Sequence, residues 1–171
     1  GAPYAVAVNS CTNALFLALK YRMLENPEYS FLPKRVSIPK HTYVSVPMQI
    51  KLAGYLVEFR DENWIGSYDL SPLNISDSAR LFNSNMYVPK YFICTSHHYS
   101  KTLGLSQAGC ILTDNPDFVS WAKRARFDGR TEGLSPKQDI FTMIGYHMYL
   151  SAEVAAQGIV KFWYLSGYWS W

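Results

Sequence analysis

CTSHHYSKTLGLSQAGCILTDN, residues 94–115, holds two strand-like runs joined by a loop that carries Lys101 and Gly104. Tyr91 to Ser96 and Ala108 to Thr113 are the predicted strands. Pro116, whose fixed φ suits a first helical turn, opens a helix to about Arg126. Working outward, Tyr4 to Val8 reads as a strand, and the capping residues Asn9-Ser10-Cys11-Thr12 precede a helix over Asn13 to Glu25. Apolar residues wrap most of that helix, which predicts burial. Arg35 to Ile38 is a strand stopped by Pro39. Val44 to Ala53 is a helix ended by Gly54 before the strand Tyr55 to Phe59. Residues 60–73 read as loop, Asn74 to Ser76 is a short strand leading into Asp77, and a last helix begins near Ser151. Strands alternating with helices predict an α/β fold: a three-layer α/β/α arrangement around a mostly parallel central sheet.

The 171 residues suit one domain. The formal net charge of +3 forms no basic stripe, which argues against nucleic acid as a partner. Cys11, Cys94 and Cys110 are an odd number with no CxxC pair, so a disulfide framework is not expected and a reducing cytoplasm is. No apolar run reaches the ~18 residues of a membrane helix, and no signal peptide is visible. Aromatics make up 16% of the chain, and the stretch Tyr164 to Trp171 would be an exposed apolar patch unless a domain or second subunit covers it.

Four positions at the ends of predicted strands or starts of helices suit one flat, anionic ligand, since ligands of α/β sheets sit at the carboxyl ends of strands. Ser10-Cys11-Thr12 stands at a helix N-terminus, where free N–H groups and the helix dipole favour phosphate. A plain N-cap would use the same residues. In His41-Thr42-Tyr43 an aromatic can cover a ring, although a buried Tyr needs no ligand to explain it. Asp77 places a carboxylate directly after a short strand, where capping or a turn is the simpler role. Ser96 and Lys101 close the set. A Lys between two buried strands is costly to desolvate unless it is paired or chemically used, and a desolvated amine is a nucleophile for carbonyls.

The order of these segments resembles that of the pyridoxal 5′-phosphate (PLP) dependent nucleotide-sugar aminotransferases of the DegT/StrS type. YAVAVNSCTNALFLAL is similar to the family's strand, phosphate turn and apolar helix, and VSIPKHTYVSV to its Pro-x-x-Thr-aromatic segment. ISDSAR is similar to its acidic segment, CTSHHYSKTLGLSQAGCILTDN to its Ser-x-x-x-x-Lys segment, and IGYHMYLSAEVAAQGIV to its Gly-Tyr-Asn-Tyr segment with the helix after it. The resemblance implies a single PLP-binding domain over residues 1–171, lacking most of the usual C-terminal small domain. It implies Lys101 as the Schiff-base residue, Asp77 against the pyridine nitrogen and Tyr43 over the ring. Cys11, Thr12 and Ser96 would lie around the phosphate. It further implies amino transfer from a donor such as glutamate to a nucleotide-linked keto-sugar, in a homodimer. Departures from the pattern are Cys11 for Gly, Arg80 for Gln near the ring's phenolic oxygen, and His147 for the Asn that reaches the neighbouring subunit's cofactor phosphate. The stretch from Tyr43 to Asp77 is also much shorter than in typical members.

Rival readings have less support. Cys94, His97 and His98 suggest a metal site, but adjacent strand residues point to opposite faces. Ser96 and His98 suggest a hydrolase, but no Gly-x-Ser-x-Gly elbow occurs. A PLP-type fold kept as a binding or assembly module is the alternative to catalysis.

Overall fold

Alternation along β1 (Tyr4–Val8) puts Val6 and Val8 on its buried side. The structure, a computed structural model, describes residues 1–25, 34–165 and 167. After β1 come α1 (Cys11–Glu25), β2 (Arg35–Pro39), α2 (Ser45–Ala53), β3 (Leu56–Arg60), β4 (Tyr68–Asp69), β5 (Ile75–Ser78), β6 (Phe92–Ser96), β7 (Gly109–Thr113), α3 (Pro116–Ala125) and α4 (Ala152–Leu165).

The main sheet has the order β1-β7-β6-β5-β4, and β2 pairs in parallel with β3 beside it. Ser37 and Ser71 join the two, exchanging backbone bonds of 2.9 and 3.1 Å. The α/β class stands, while a mostly parallel sheet fits only loosely. In the main sheet β5 and β6 run parallel, and β1–β7, β6–β7 and β4–β5 run antiparallel. The cause is local: residues 97–108 fold back at the end of β6, where the His97 N–H bonds the Ala108 carbonyl at 2.8 Å, so β7 returns antiparallel, whereas residues 79–91 cross back without a helix and start β6 parallel to β5. Two further details differ from expectation. Tyr68–Asp69 forms a strand inside the predicted loop, and Asp77 lies within β5 instead of after it.

Helix α1 is buried from Ala14 through Leu19, as its unbroken apolar surface requires. It packs on β5, β6 and β7, while α2 packs on α1 and β3. Phe118 of α3 is fully buried between Phe92, at a ring distance of 4.4 Å, and Tyr21, at 5.1 Å. Burial of one such ring stabilises by roughly 1.5–3 kcal/mol. Helix α4 buries none of its residues. It is held through Val154 against Leu103, Leu105 and Ala108, and through a bond from the Lys161 ammonium to the Gly104 carbonyl. Most of the aromatic stretch from Tyr164 to Trp171 lies outside the described residues.

The start of α1 rests directly on Gly109, the first residue of β7. A methyl group there would come within 2.4 Å of the Ser10 carbonyl carbon and 2.5 Å of the Cys11 nitrogen. Only Gly admits this approach. Gly109→Ala is expected to lower stability by about 1–3 kcal/mol in urea denaturation, because one backbone must move off the other.

Candidate active site

Ser10 caps α1, its Oγ accepting the Asn13 N–H at 3.1 Å. The remaining N–H groups of a first turn have no intrahelical partner and, with the dipole, attract anions. Thr12 and Ser45 join their hydroxyls at 2.9 Å, so the N-termini of α1 and α2 meet at one place. Beside them opens a cavity of about 850 Å³, floored by α1 and β5 and walled by the connections β2–α2 and β6–β7.

That cavity collects Cys11, Thr12, Tyr43, Asp77, Arg80, Ser96 and Lys101. His147 is not among its walls. It is exposed, with its Nδ1 3.1 Å from an Asp128 carboxylate oxygen. Its segment is nonetheless tightly seated, since Gly145 lies so close to the Asp128–Gly129 backbone that no side chain would fit. Tyr43 stands exposed at the cavity's mouth. Lys101 is half-buried in the β6–β7 connection, where its backbone N–H bonds the His98 carbonyl at 2.8 Å.

Asp77 is the buried charge of the site. Its Oδ2 accepts the Tyr68 hydroxyl proton at 2.7 Å, and its Oδ1 accepts the Ala79 N–H at 3.0 Å. The Cys11 thiol lies 4.0 Å from Oδ1. Burial pushes the carboxyl above its usual range, opposed by the Tyr68 and Ala79 bonds and by the Lys101 charge. Burial, then the Asp77 charge, pushes the Cys11 thiol well up, so it stays neutral. Lys40 and Arg80 add positive charge along the cavity wall. Arg80 lies over the Trp64 ring at 5.7 Å, and Lys40 pairs with Asp61 at 2.8 Å.

Sequence reasoning missed Tyr68, Trp64, Lys40 and Gln107. Tyr68 belongs to a two-residue strand inside polar sequence, where no periodicity marks it. The two histidines part company: His97 is buried against Thr95 at 3.1 Å, while His98 lines the cavity. Among the described residues, no group of three or more His, Cys, Asp or Glu could hold a metal ion. None of their helices is long and apolar enough to cross a membrane.

Chemically, the cavity offers an anion cradle, a buried carboxylate ready for a cationic N–H donor, and a primary amine for a carbonyl. No protein-family profile matches the chain, and no curated protein matches it. Solved structures do match. Helicobacter pylori PseC, an aminotransferase involved in pseudoaminic acid biosynthesis, superposes with a TM-score of 0.76 at 17% identity, over 95% of this chain and 53% of that one. A PLP-dependent aminotransferase from Bacillus cereus gives 0.74 at 18%, over 94% and 53%. The sugar dehydratase ColD, with bound GDP-perosamine, gives 0.74 at 18%, over 94% and 56%. The chain thus has the fold of PLP-dependent aminotransferases and spans about half the length of the solved structures it resembles. A dehydratase among them means that the fold does not choose the reaction; residues of the cavity must.

The raised carboxyl of Asp77 has a signed consequence. Its folded-state affinity for a proton exceeds the unfolded one, so the stability linked to neutral Asp77 is complete below the ordinary value of 3.8 and is lost as pH rises through the folded value. In ligand-free protein, Asp77→Asn is expected to gain stability relative to the parent as pH rises above about 4. Urea denaturation of both proteins across that range measures it.

Proposed function

We propose that the cavity binds PLP and that the chain transfers an amino group from an amino acid such as glutamate to a nucleotide-linked keto-sugar. The observation that supports this reading is the convergence of Lys101, Asp77 and the α1 N-terminus on one cavity. The fit to the cofactor is chemical. Asp77 is buried with no ion-pair partner among the described residues, and a pyridinium N–H would supply one. The paired helix starts suit a phosphate dianion, and Gly109 keeps that cradle seated on the sheet.

When bound, PLP supplies an electron sink for the bonds at the substrate's amino-bearing carbon. The α1 N–H groups, Thr12 and Ser96 hold the phosphate, with Cys11 as the cradle's neutral wall. Asp77 keeps the ring nitrogen protonated. Tyr43 would cover the ring from the mouth, and Arg80 would serve its phenolic oxygen. Lys101 would hold the cofactor through its amine, which, when free, would serve as the base and then the acid for the proton at the donor's Cα. Lys40 and Arg80 suit the diphosphate of a sugar nucleotide. Three free cysteines, Cys11, Cys94 and Cys110, support a cytoplasmic setting.

The same reading makes the protein a homodimer. His147 is exposed and away from its own cavity, as a donor to the partner's phosphate would be, and α4 exposes Ile159, Val160, Phe162 and Leu165. A two-fold axis makes such a contact reciprocal.

Lys101 is expected to be the attachment point. Incubation with PLP followed by borohydride should add the cofactor's mass to the peptide containing Lys101, and Lys101→Ala should abolish the labelling. Labelling that persists in Lys101→Ala rules the assignment out. For the dimer, sedimentation with PLP should give a species of twice the 19.5 kDa chain mass. His147→Ala should weaken PLP retention about tenfold, the scale of one hydrogen bond to a charged group, without dissociating that species.

A further inference from the structure

Antiparallel pairing of β4 with β5 sets Tyr68 directly opposite Asp77. The Tyr68 side chain is buried, with its ring 4.7 Å from that of Trp64. A phenol has one proton, and this one is directed to Asp77 Oδ2 at 2.7 Å. The Thr42 hydroxyl, in close contact with the Tyr68 oxygen, must then be the donor of that pair. The polarity of the chain is thereby set: Thr42 donates to Tyr68, and Tyr68 donates to Asp77. With Ala79 N–H on Oδ1, both carboxylate oxygens are held and the carboxylate plane is fixed.

We propose that Tyr68 is a positioning residue for Asp77, with Thr42 as its outer support, and that this relay orients the carboxylate. The proposal rests on the PLP reading for its catalytic meaning, and on geometry alone for the relay. A carboxylate that accepts a hydroxyl proton is a weaker base. Between a weakened carboxylate and a pyridine nitrogen, the shared proton stays on the nitrogen, which is the state that accepts electrons. The other groups facing Asp77 are Cys11 from α1, Cys94 from β6 and Lys101 from the β6–β7 connection. Burial keeps both thiols neutral, so Lys101 is the one charge among them. The relay also ties the ring-nitrogen side of the cavity to the segment bearing Tyr43, since Thr42 is its neighbour in sequence.

The test follows the Asp77 carboxyl directly in cofactor-free protein carrying 13C-labelled aspartate, with the resonance assigned through Asp77→Asn. Tyr68→Phe is expected to raise the titration midpoint of Asp77 by about one pH unit, a tenfold change in proton affinity. Thr42→Val should raise it less and in the same direction, and decides the matter if Tyr68→Phe fails to fold. Midpoints equal to the parent's in the folded variants overturn the proposal. In parallel, 15N-labelled PLP reports its ring nitrogen in the loaded parent. A parent that binds no PLP refutes the proposed function and leaves the carboxyl comparison standing by itself.

Discussion

The contact on which the site depends is the approach of two backbones at Gly109. Because no Cβ intervenes, Ser10 and Cys11 sit directly on the first residue of β7. This fixes the start of α1 over the strand ends. From there Thr12 reaches Ser45 and joins the second helix start, and Cys11 comes beside Asp77. The core makes the arrangement rigid: α1 is buried from Ala14 to Leu19 and cannot shift without opening the packing of the sheet beneath it. A cradle for an anion is therefore built by close packing, with no cationic side chain needed at its floor.

The second constraint is electrostatic. A carboxylate as deeply buried as Asp77 is costly unless paired or hydrogen-bonded. Here hydrogen bonds from Tyr68 and Ala79 offset part of that cost, and no cation touches it among the described residues. A ligand bringing a positive N–H to this point gains from a charge whose desolvation has already been met by folding. That is preorganisation in the sense used for catalytic sites, where groups are set before the reacting molecule arrives.

How much of this was legible in the sequence varies by element. The buried α1 was, because its apolar residues leave no polar face, and the Lys101 loop was, because two strand-like runs bracket it. The alternation of strands and helices gave the class. Strand direction was not legible, since period and composition are the same for both directions: the helix-free connections β5–β6 and β6–β7 give a parallel and an antiparallel pair. Neither was Tyr68. A two-residue strand has no periodicity, and its contact with Asp77 exists only through the register of β4 on β5. Individual site residues could be named from the order of the motifs, but their convergence is a property of the fold. His147 shows the converse: the resemblance marks it, while within one chain it stands apart from the cavity.

The central claim is that this cavity holds PLP in one fixed orientation. Free PLP is achiral and has no circular dichroism, so a visible band appears only when an asymmetric site binds it. Titration of the purified chain with PLP should give a saturable visible dichroism band, and inorganic phosphate should compete for it at the α1 cradle. No band at any PLP concentration, or a band indifferent to phosphate, contradicts the account.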